Sequence, residues 1–354
     1  MKTLWIVPIE PIDQRYTKQW YENIPKILGD RIKEHPKAVP WSIRTIDGTQ
    51  PGKGTTKGAF LDFATTNIYK ASQVQEISTL FLHNQIKPGD KFLVTDAWNF
   101  AITAIRYMSD LLDIPVEIHG IWHAGAYDPT DILGMKMSKP WPWHQERAWY
   151  HACDYNYYAT NFHKDMFLKN LDIENTGKAF RSGQPHTPIV DLLTPYFDAE
   201  RDGSIMWPHR YNADKQPEIA ESLNKDLDIK ITQKLNLSKD KYYKAMGSAS
   251  AIFSCALHEN LGISVMEGVL AGAIPIVPDR ASYAEMYSAE FKYPSVWTAN
   301  AENFEIYRSK LIDFILERVQ NRDKYLPALI AQRQYLIDAY LQPTIMIDKI
   351  LDLA

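Results

Sequence analysis

Two carboxylates and two cations in the C-terminal half are the residues whose types and spacing most clearly imply chemistry. Glu259 and Glu267 lie eight residues apart, and Arg210 and Lys215 lie five apart in the segment from Trp207 to Lys215. Eight residues of mostly helical backbone put the carboxylates roughly 12 Å apart at ~1.5 Å rise per residue. That exceeds the separation of about 5 Å in retaining hydrolases and the inverting range of up to ~9.5 Å. The spacing suits a grip on two hydroxyl-bearing rings joined by a diphosphate, with Glu259 on a sugar and Glu267 on a ribose. Backbone N–H groups at Asn260, Leu261, Gly262 and Ile263, at the positive end of a helix, would face the phosphates. The small Gly262 lets the backbone come close to them. Arg210 and Lys215 form a cationic pair able to neutralise a diphosphate leaving group.

The element that must position the carboxylates is one βαβ unit. An apolar run, Ala251 to Leu257, ends in the polar triplet His258-Glu259-Asn260. A helix-like segment follows, Gly272 closes it, and a second apolar run covers Ile274 to Val277. The polar residues therefore sit at the carboxyl end of the first strand, where open α/β sheets bind ligands. Asn260 is the expected N-cap and Gly272 the expected C′ residue.

The rest of the chain alternates in the same way. Strands are expected over 4–9, 41–46, 92–95, 116–122 and 155–159, with helices over 16–33, 100–112 and 143–152. Between Asn175 and Ser204 the pattern dissolves into Gly, Pro and polar residues. A second alternation starts at Ile205 and ends in helices over 304–319 and 326–340, with one more amphipathic helix after Pro343. With 354 residues, two domains are the default. The expected boundaries are 1–203, 204–340 and a C-terminal helix over 341–354, and the expected class is α/β with parallel, doubly wound sheets.

Glu259, seven residues, then Glu267, with Gly262 inside and Gly272-Ala-Ile-Pro275 after, resembles the E-x7-E signature of retaining GT-B glycosyltransferases. The motif covers about a tenth of the chain. The resemblance implies two Rossmann-like domains facing across a cleft, the first taking the acceptor and the second a nucleotide-diphosphate sugar, here expected to be UDP-linked. The Arg210–Lys215 loop is similar to the Arg-x4-Lys element of the same family, although Gln216 stands where the family places Gly. His123, ending a strand and followed by Ala124-Gly125-Ala126, resembles the family's N-domain residue that touches the donor sugar. The C-terminal helix looks like the one that crosses back onto the first domain. Retention of anomeric configuration and transfer of a hexosyl or pentosyl group are further implications.

The N-terminal wording, from Trp5 to Pro25 and from Gly120 to Leu133, is similar to glycosyltransferase-like proteins of tailed bacteriophages. That resemblance implies a hydroxymethylated pyrimidine in double-stranded DNA as acceptor. The segment His258 to Tyr283 is distantly similar to transferases that mannosylate queuosine in tRNA. Lys53 and Lys57, then Lys136, Lys139 and Arg147 among Trp141, Trp143 and His144, are candidate contacts to phosphates and bases. Transfer to a glycan or a lipid carrier, or nucleotide-sugar epimerisation, are the alternatives.

Other classes fit poorly. The loop from Gly48 to Gly58 fails both G-x-G-x-x-G and the P-loop pattern. Asp226-Leu-Asp228 lies in a charged segment and reads as surface. His119 and His123 are about 13 Å apart along a strand at ~3.3 Å per residue, too far to share an ion. No metal and no cofactor is therefore expected. The formal net charge is −4 with two cysteines, arguing against a uniformly basic surface and against a disulfide framework. No leader and no membrane span is recognised, so the expected compartment is cytoplasmic.

Overall fold

The computed structural model describes residues 2–12, 15–35, 39–50 and 62–353. The expected contacts at Lys53 and Lys57, and most of the glycine-rich loop around them, lie outside the described residues. Two compact units emerge, one from Met1–Pro185 with Pro343–Ala354, the other from His186–Gln342.

The first unit holds a six-stranded sheet: β1 (Lys2–Val7), β2 (Trp41–Thr45), β3 (Lys91–Val94), β4 (Glu117–Ile121), β5 (Tyr155–Tyr158) and β6 (Ala179–Arg181). Their spatial order is β2-β1-β3-β4-β5-β6, and every pairing is parallel. Side chains alternate across the sheet, so β1 feeds two cores. Trp5 and Val7 join Ile77, Phe81, Ile102 and Ile105 on one face. Leu4 and Ile6 join Trp20, Ile24 and Leu28 on the other, together with Met346, Ile347 and Ile350 of the C-terminal helix Thr344–Ile350. The order reverses between β1 and β3, which places a crevice at their carboxyl ends.

The second unit holds β7 (Ile205–Trp207), β8 (Ile229–Ile231), β9 (Ala251–Phe253), β10 (Ile274–Pro278) and β11 (Lys292–Tyr293), in the order β11-β10-β9-β7-β8. These pairs are also parallel. Here the reversal lies between β7 and β9. The α/β class and the doubly wound architecture expected from the sequence are both present.

One expectation is corrected. The stretch 175–204, expected to be irregular, contains β6 and the helix Thr187–Leu193. A three-residue edge strand is too short to show periodicity. The second unit takes in 186–203. Arg201 explains this: its guanidinium donates to the carbonyls of Gly247, Ala249 and Ala271 as well as to those of Tyr196 and Phe197. The helix Phe63–Leu82 escapes the apolar pattern altogether, because its buried face includes Thr66, Lys70 and Gln73.

A charged clasp ties the C-terminal segment to the first sheet. Lys91 Nζ, 5% exposed, pairs at 2.7 Å with both Glu117 and Asp352. His119, fully buried, lies 2.7 Å from Glu117 and 2.9 Å from the Tyr157 hydroxyl. Burial disfavours the Glu117 carboxylate, but His119 and Lys91 outweigh it and hold its pKa below the usual carboxylate range. The stability this contributes is complete above the unfolded-chain pKa of about 4.3 and is lost as the pH falls below it. The urea midpoint of wild-type protein is expected to fall more steeply between pH 5 and pH 3 than that of Glu117→Gln. Parallel curves would overturn the clasp.

Candidate active site

The sites are built from the residues that follow each strand at a reversal point. In the second unit, β7 runs into Pro208-His209-Arg210, and β9 runs into Ser254-Cys255-Ala256. The loop after β7 turns back through Asp214 and Lys215, and the loop after β9 carries His258 and Glu259. A backbone bond from Leu257 N to Asp214 O at 2.7 Å joins the two loops.

Lys215 is the centre of this arrangement. It is 7% exposed, and its ammonium lies 2.8 Å from Glu259 Oε1, 2.9 Å from Asp214 Oδ2 and 2.6 Å from the His258 carbonyl. An ammonium has three donors, so all three are engaged. A phosphate oxygen must displace one of these partners or bind beside them. Burial opposes charge on Lys215, but Glu259 and Asp214 more than compensate and raise its pKa. Burial likewise penalises the Glu259 carboxylate, and Lys215 overcomes that penalty, leaving its pKa lowered.

His209, absent from the sequence-based candidates, borders the same carboxylate, with Nδ1 3.8 Å from Glu259 Oε1. Burial pushes its pKa down to about 3, so the ring is neutral near pH 7 and the charge on Glu259 is balanced by Lys215. His209 Nε2 lies 2.8 Å from Ser254 Oγ, which also receives the Tyr283 hydroxyl at 3.2 Å. Position was the available clue, since His209 and Ser254 lie within two residues of the ends of β7 and β9. Arg210, by contrast, is exposed and enters no ion pair among the described residues.

The loop after Glu259 departs from expectation in one respect. The helix runs from Ile263 to Leu270, and its N-cap is Gly262 with φ +74°, not Asn260. Leu261, 5% exposed, keeps the chain in the loop until this left-handed residue turns it. A Cβ on Gly262 would stand 2.8 Å from the Tyr283 ring. Gly272, at φ +86°, follows the last turn as expected. Glu267 lies on the second turn and receives the hydroxyls of Tyr242 and Tyr243, each at 3.3 Å. Burial raises its pKa to about 7, with Lys239 and the two tyrosines only partly offsetting it.

Gln216 stands where the resembled pattern places Gly, and the backbone gives the reason. Its φ and ψ are +52° and +57°, in the left-handed region, which side chains beyond glycine adopt at a cost. The cost is offset by its amide, which donates to the carbonyls of Cys255 at 2.6 Å and Thr298 at 2.8 Å, both bonds buried.

His123 belongs to the first unit. Its Nε2 lies 2.7 Å from the Thr95 carbonyl, so that nitrogen carries the proton. Its Nδ1 then accepts from the Tyr16 hydroxyl at 3.2 Å and the Gln184 amide at 3.4 Å. Both nitrogens are thus occupied, and burial lowers the ring's pKa. Asp226 and Asp228 are exposed, and Asp226 pairs with Arg308. Among the described residues no group of three or more His, Cys, Asp or Glu is placed to hold a metal. Among those residues also, no helix is long and apolar enough to cross a membrane.

No known protein family's profile matches the chain. Over 133 residues it is 26% identical to tRNA-queuosine alpha-mannosyltransferase of Drosophila melanogaster, a match covering 29% of this chain and 34% of that protein. Three solved structures match almost end to end. Sucrose-phosphate synthase from Thermosynechococcus elongatus gives a TM-score of 0.63 at 9% identity, covering 100% of this chain and 98% of that one. The lipopolysaccharide outer core galactosyltransferase WaaB gives 0.58 at 10% identity, covering 99% and 98%. TarM gives 0.55 at 12% identity, covering 100% and 98%. The fold is that of the GT-B glycosyltransferases.

The Gln216 geometry makes a stability prediction. Gln216→Ala keeps the strained backbone and strips two buried carbonyls of their donor, so it is expected to cost about 2–3 kcal/mol. Gln216→Gly loses the same bonds but relieves the backbone, and its loss should be smaller by about 1 kcal/mol. Urea unfolding of the two variants measures the difference, and equal losses would contradict the strain.

Proposed function

We propose that the protein transfers a sugar from a nucleotide-diphosphate sugar, UDP-linked, to a hydroxyl acceptor with retention of anomeric configuration. The observation that carries this reading is the buried Lys215–Glu259 pair beside Gly262, at the reversal point of the second sheet. It puts a fixed cation, an ionised carboxylate and the start of a helix at the edge where α/β sheets bind ligands.

Each group then has a task. Lys215 and the solvent-facing Arg210 stabilise the departing diphosphate, aided by the N–H groups from Asn260 to Ile263. Glu259, kept ionised by Lys215, accepts hydrogen bonds from donor-sugar hydroxyls. Glu267 accepts from the ribose, and Tyr242 and Tyr243 hold its carboxylate in place. The family resemblance assigns His123 to the donor sugar, a role that requires it to give up one of its three present hydrogen bonds. The acceptor hydroxyl attacks from the face that the diphosphate leaves.

The acceptor we propose is a hydroxymethylated pyrimidine in bacteriophage double-stranded DNA, on the strength of the N-terminal wording. A hydroxyl on a tRNA base is the second reading, favoured by the 26% identity to the queuosine transferase. Mass spectrometry of hydroxymethylated DNA and of bulk tRNA, each incubated with a panel of nucleotide sugars, separates the two. A hexose or pentose added to DNA alone supports the first, and one added to tRNA alone supports the second. No mass change on either, with the nucleotide sugars intact, would overturn the nucleic-acid acceptor.

Lys215→Ala is expected to lower kcat/KM by about 10²-fold or more, with Glu259→Gln similarly affected and circular dichroism unchanged. The Glu267 carboxyl titrates at about 7, and its ionised form is the better acceptor for ribose hydroxyls. The donor KM is therefore expected to rise as the pH falls from 8 to 6, and to lose that dependence in Glu267→Gln. An unaltered pH profile in that variant would remove the ribose role.

A further inference from the structure

The helix Phe63–Leu82 reverses the usual division between core and solvent. Its core face carries Thr66, Lys70 and Gln73, whereas Ala64, Ile68, Ala71, Gln75, Ser78 and Leu82 are all exposed. These six recur at intervals of four, three, four, three and four residues, so they form one stripe along ~30 Å of helix at ~1.5 Å per residue. A solvent-facing stripe ordinarily carries charged and polar side chains, yet four of these six are apolar and none is charged. Among the described residues of this helix, Glu76 is the one exposed charge.

The neighbouring helix Ala101–Leu111 widens the stripe. Phe100, Ala104, Tyr107 and Leu111 follow a four-three-four spacing, and all are exposed except the partly buried Ala104. Leu82, Tyr107 and Leu111 are 73%, 66% and 67% exposed. Both helices cover the same face of the first sheet, since Ile77 and Phe81 share a core with Ile102 and Ile105. They lead into the parallel neighbours β3 and β4 and so run side by side in one direction. An uncharged face two helices wide therefore points away from the core.

The stripe is self-complementary. Its spacing reads the same in both directions, so an identical helix fits across it antiparallel, about a two-fold axis at the level of Gln73. That axis sets Ala64 opposite Leu82, Ile68 opposite Ser78 and Ala71 opposite Gln75. A small side chain meets a larger one at every pair, which lets two helices approach closely. The polar members tolerate burial. Ser78 donates its hydroxyl to the Val74 carbonyl at 2.8 Å, and Gln75 lies within one turn of the axis, where a polar side chain fixes register.

A two-fold interface uses the same patch on both copies, and this patch matches itself in both spacing and size. A nucleic acid would need cations at these positions, and none of the ten residues supplies one. Helices of ~30 Å and ~16 Å, each ~10 Å wide, present about 450 Å² per copy. That is the small end of specific interfaces, for which a dissociation constant on the order of 10 μM is the matching expectation.

We infer that this face is the interface of a two-fold dimer, with the helix Phe63–Leu82 antiparallel to its counterpart and Tyr107 and Leu111 on the flanks. Such a dimer stands independently of the transferase reading. Phe63 and Asn67, at the N-terminal end of the stripe, line a cavity of about 340 Å³ in the first unit. The antiparallel pairing puts the two copies' cavities at opposite ends of the interface.

Sedimentation velocity of the full chain from about 1 to about 100 μM brackets that affinity. The wild-type protein is expected to pass from monomer to dimer mass across the range, and monomer throughout would overturn the interface. Ala71→Glu alters an exposed helical position, so circular dichroism should be unchanged while the dimer dissociation constant rises at least tenfold. A dimer that survives Ala71→Glu unweakened uses another face, which also overturns the assignment. The register has its own readout. An equimolar mixture of Ala71→Cys and Gln75→Cys proteins should form disulfide-linked dimers under mild oxidation faster than either variant alone, and the native Cys153 and Cys255 are buried and do not compete. Crosslinking of the mixture no faster than that of either variant alone would rule out the antiparallel pairing.

Discussion

A buried ammonium that needs three oxygens shapes the second unit. Removing a lysine from water costs several kcal/mol unless charge and hydrogen bonds replace the lost hydration. Lys215 meets that requirement only by drawing Asp214 from the loop after β7 together with His258 and Glu259 from the loop after β9. The reversal of strand order opens a crevice between those two loops, and the lysine pins both of its lips. The first unit solves the same problem in the same way. Lys70, 5% exposed at its side chain, joins Asp96 and the Trp98 carbonyl beside the reversal between β1 and β3. In both units the crevice is bordered by a cation already paired with a carboxylate, so its electrostatics are set before a ligand arrives.

That arrangement separates the titration of neighbouring groups. Glu259 stays ionised because Lys215 overcomes its burial, His209 is driven neutral by burial with its pKa at about 3, and Glu267 is lifted to about 7. Three ionisable side chains around one loop and helix thus hold different charge states at the same pH. Distinct environments of this kind are what allow a site to divide tasks among similar groups. Here one carboxylate is held toward its charged form and the other is close to its switching point near pH 7.

Backbone geometry supplies the second constraint. Gly262 and Gln216, one in each loop, both adopt left-handed conformations. At Gly262 the Tyr283 ring excludes any Cβ, so glycine is required twice over, by its φ and by the lack of space. At Gln216 a side chain is retained, and its amide satisfies two buried carbonyls. The same backbone need is met at one position by a missing side chain and at the other by a useful one.

Much of the fold was legible in the sequence because parallel strands buried on both faces appear as short apolar runs, and the helices between them show one apolar stripe. The βαβ unit from Ala251 to Pro278, the glycine that ends its helix, and the carboxylates at 259 and 267 follow from residue type and spacing alone. Other features required the third dimension. The helix Phe63–Leu82 buries Thr66, Lys70 and Gln73 on the face where a pattern reader looks for aliphatic residues, so neither it nor the cavity beside it could be read from periodicity. His209 and Tyr283 meet at Ser254, and His209 also borders Glu259, from segments far apart in the chain, and no local spacing records that meeting. Residue order determined which groups stand at the ends of the strands. Tertiary structure decided their partners, and with them their charges, because burial and pairing depend on distances between segments far apart in the chain.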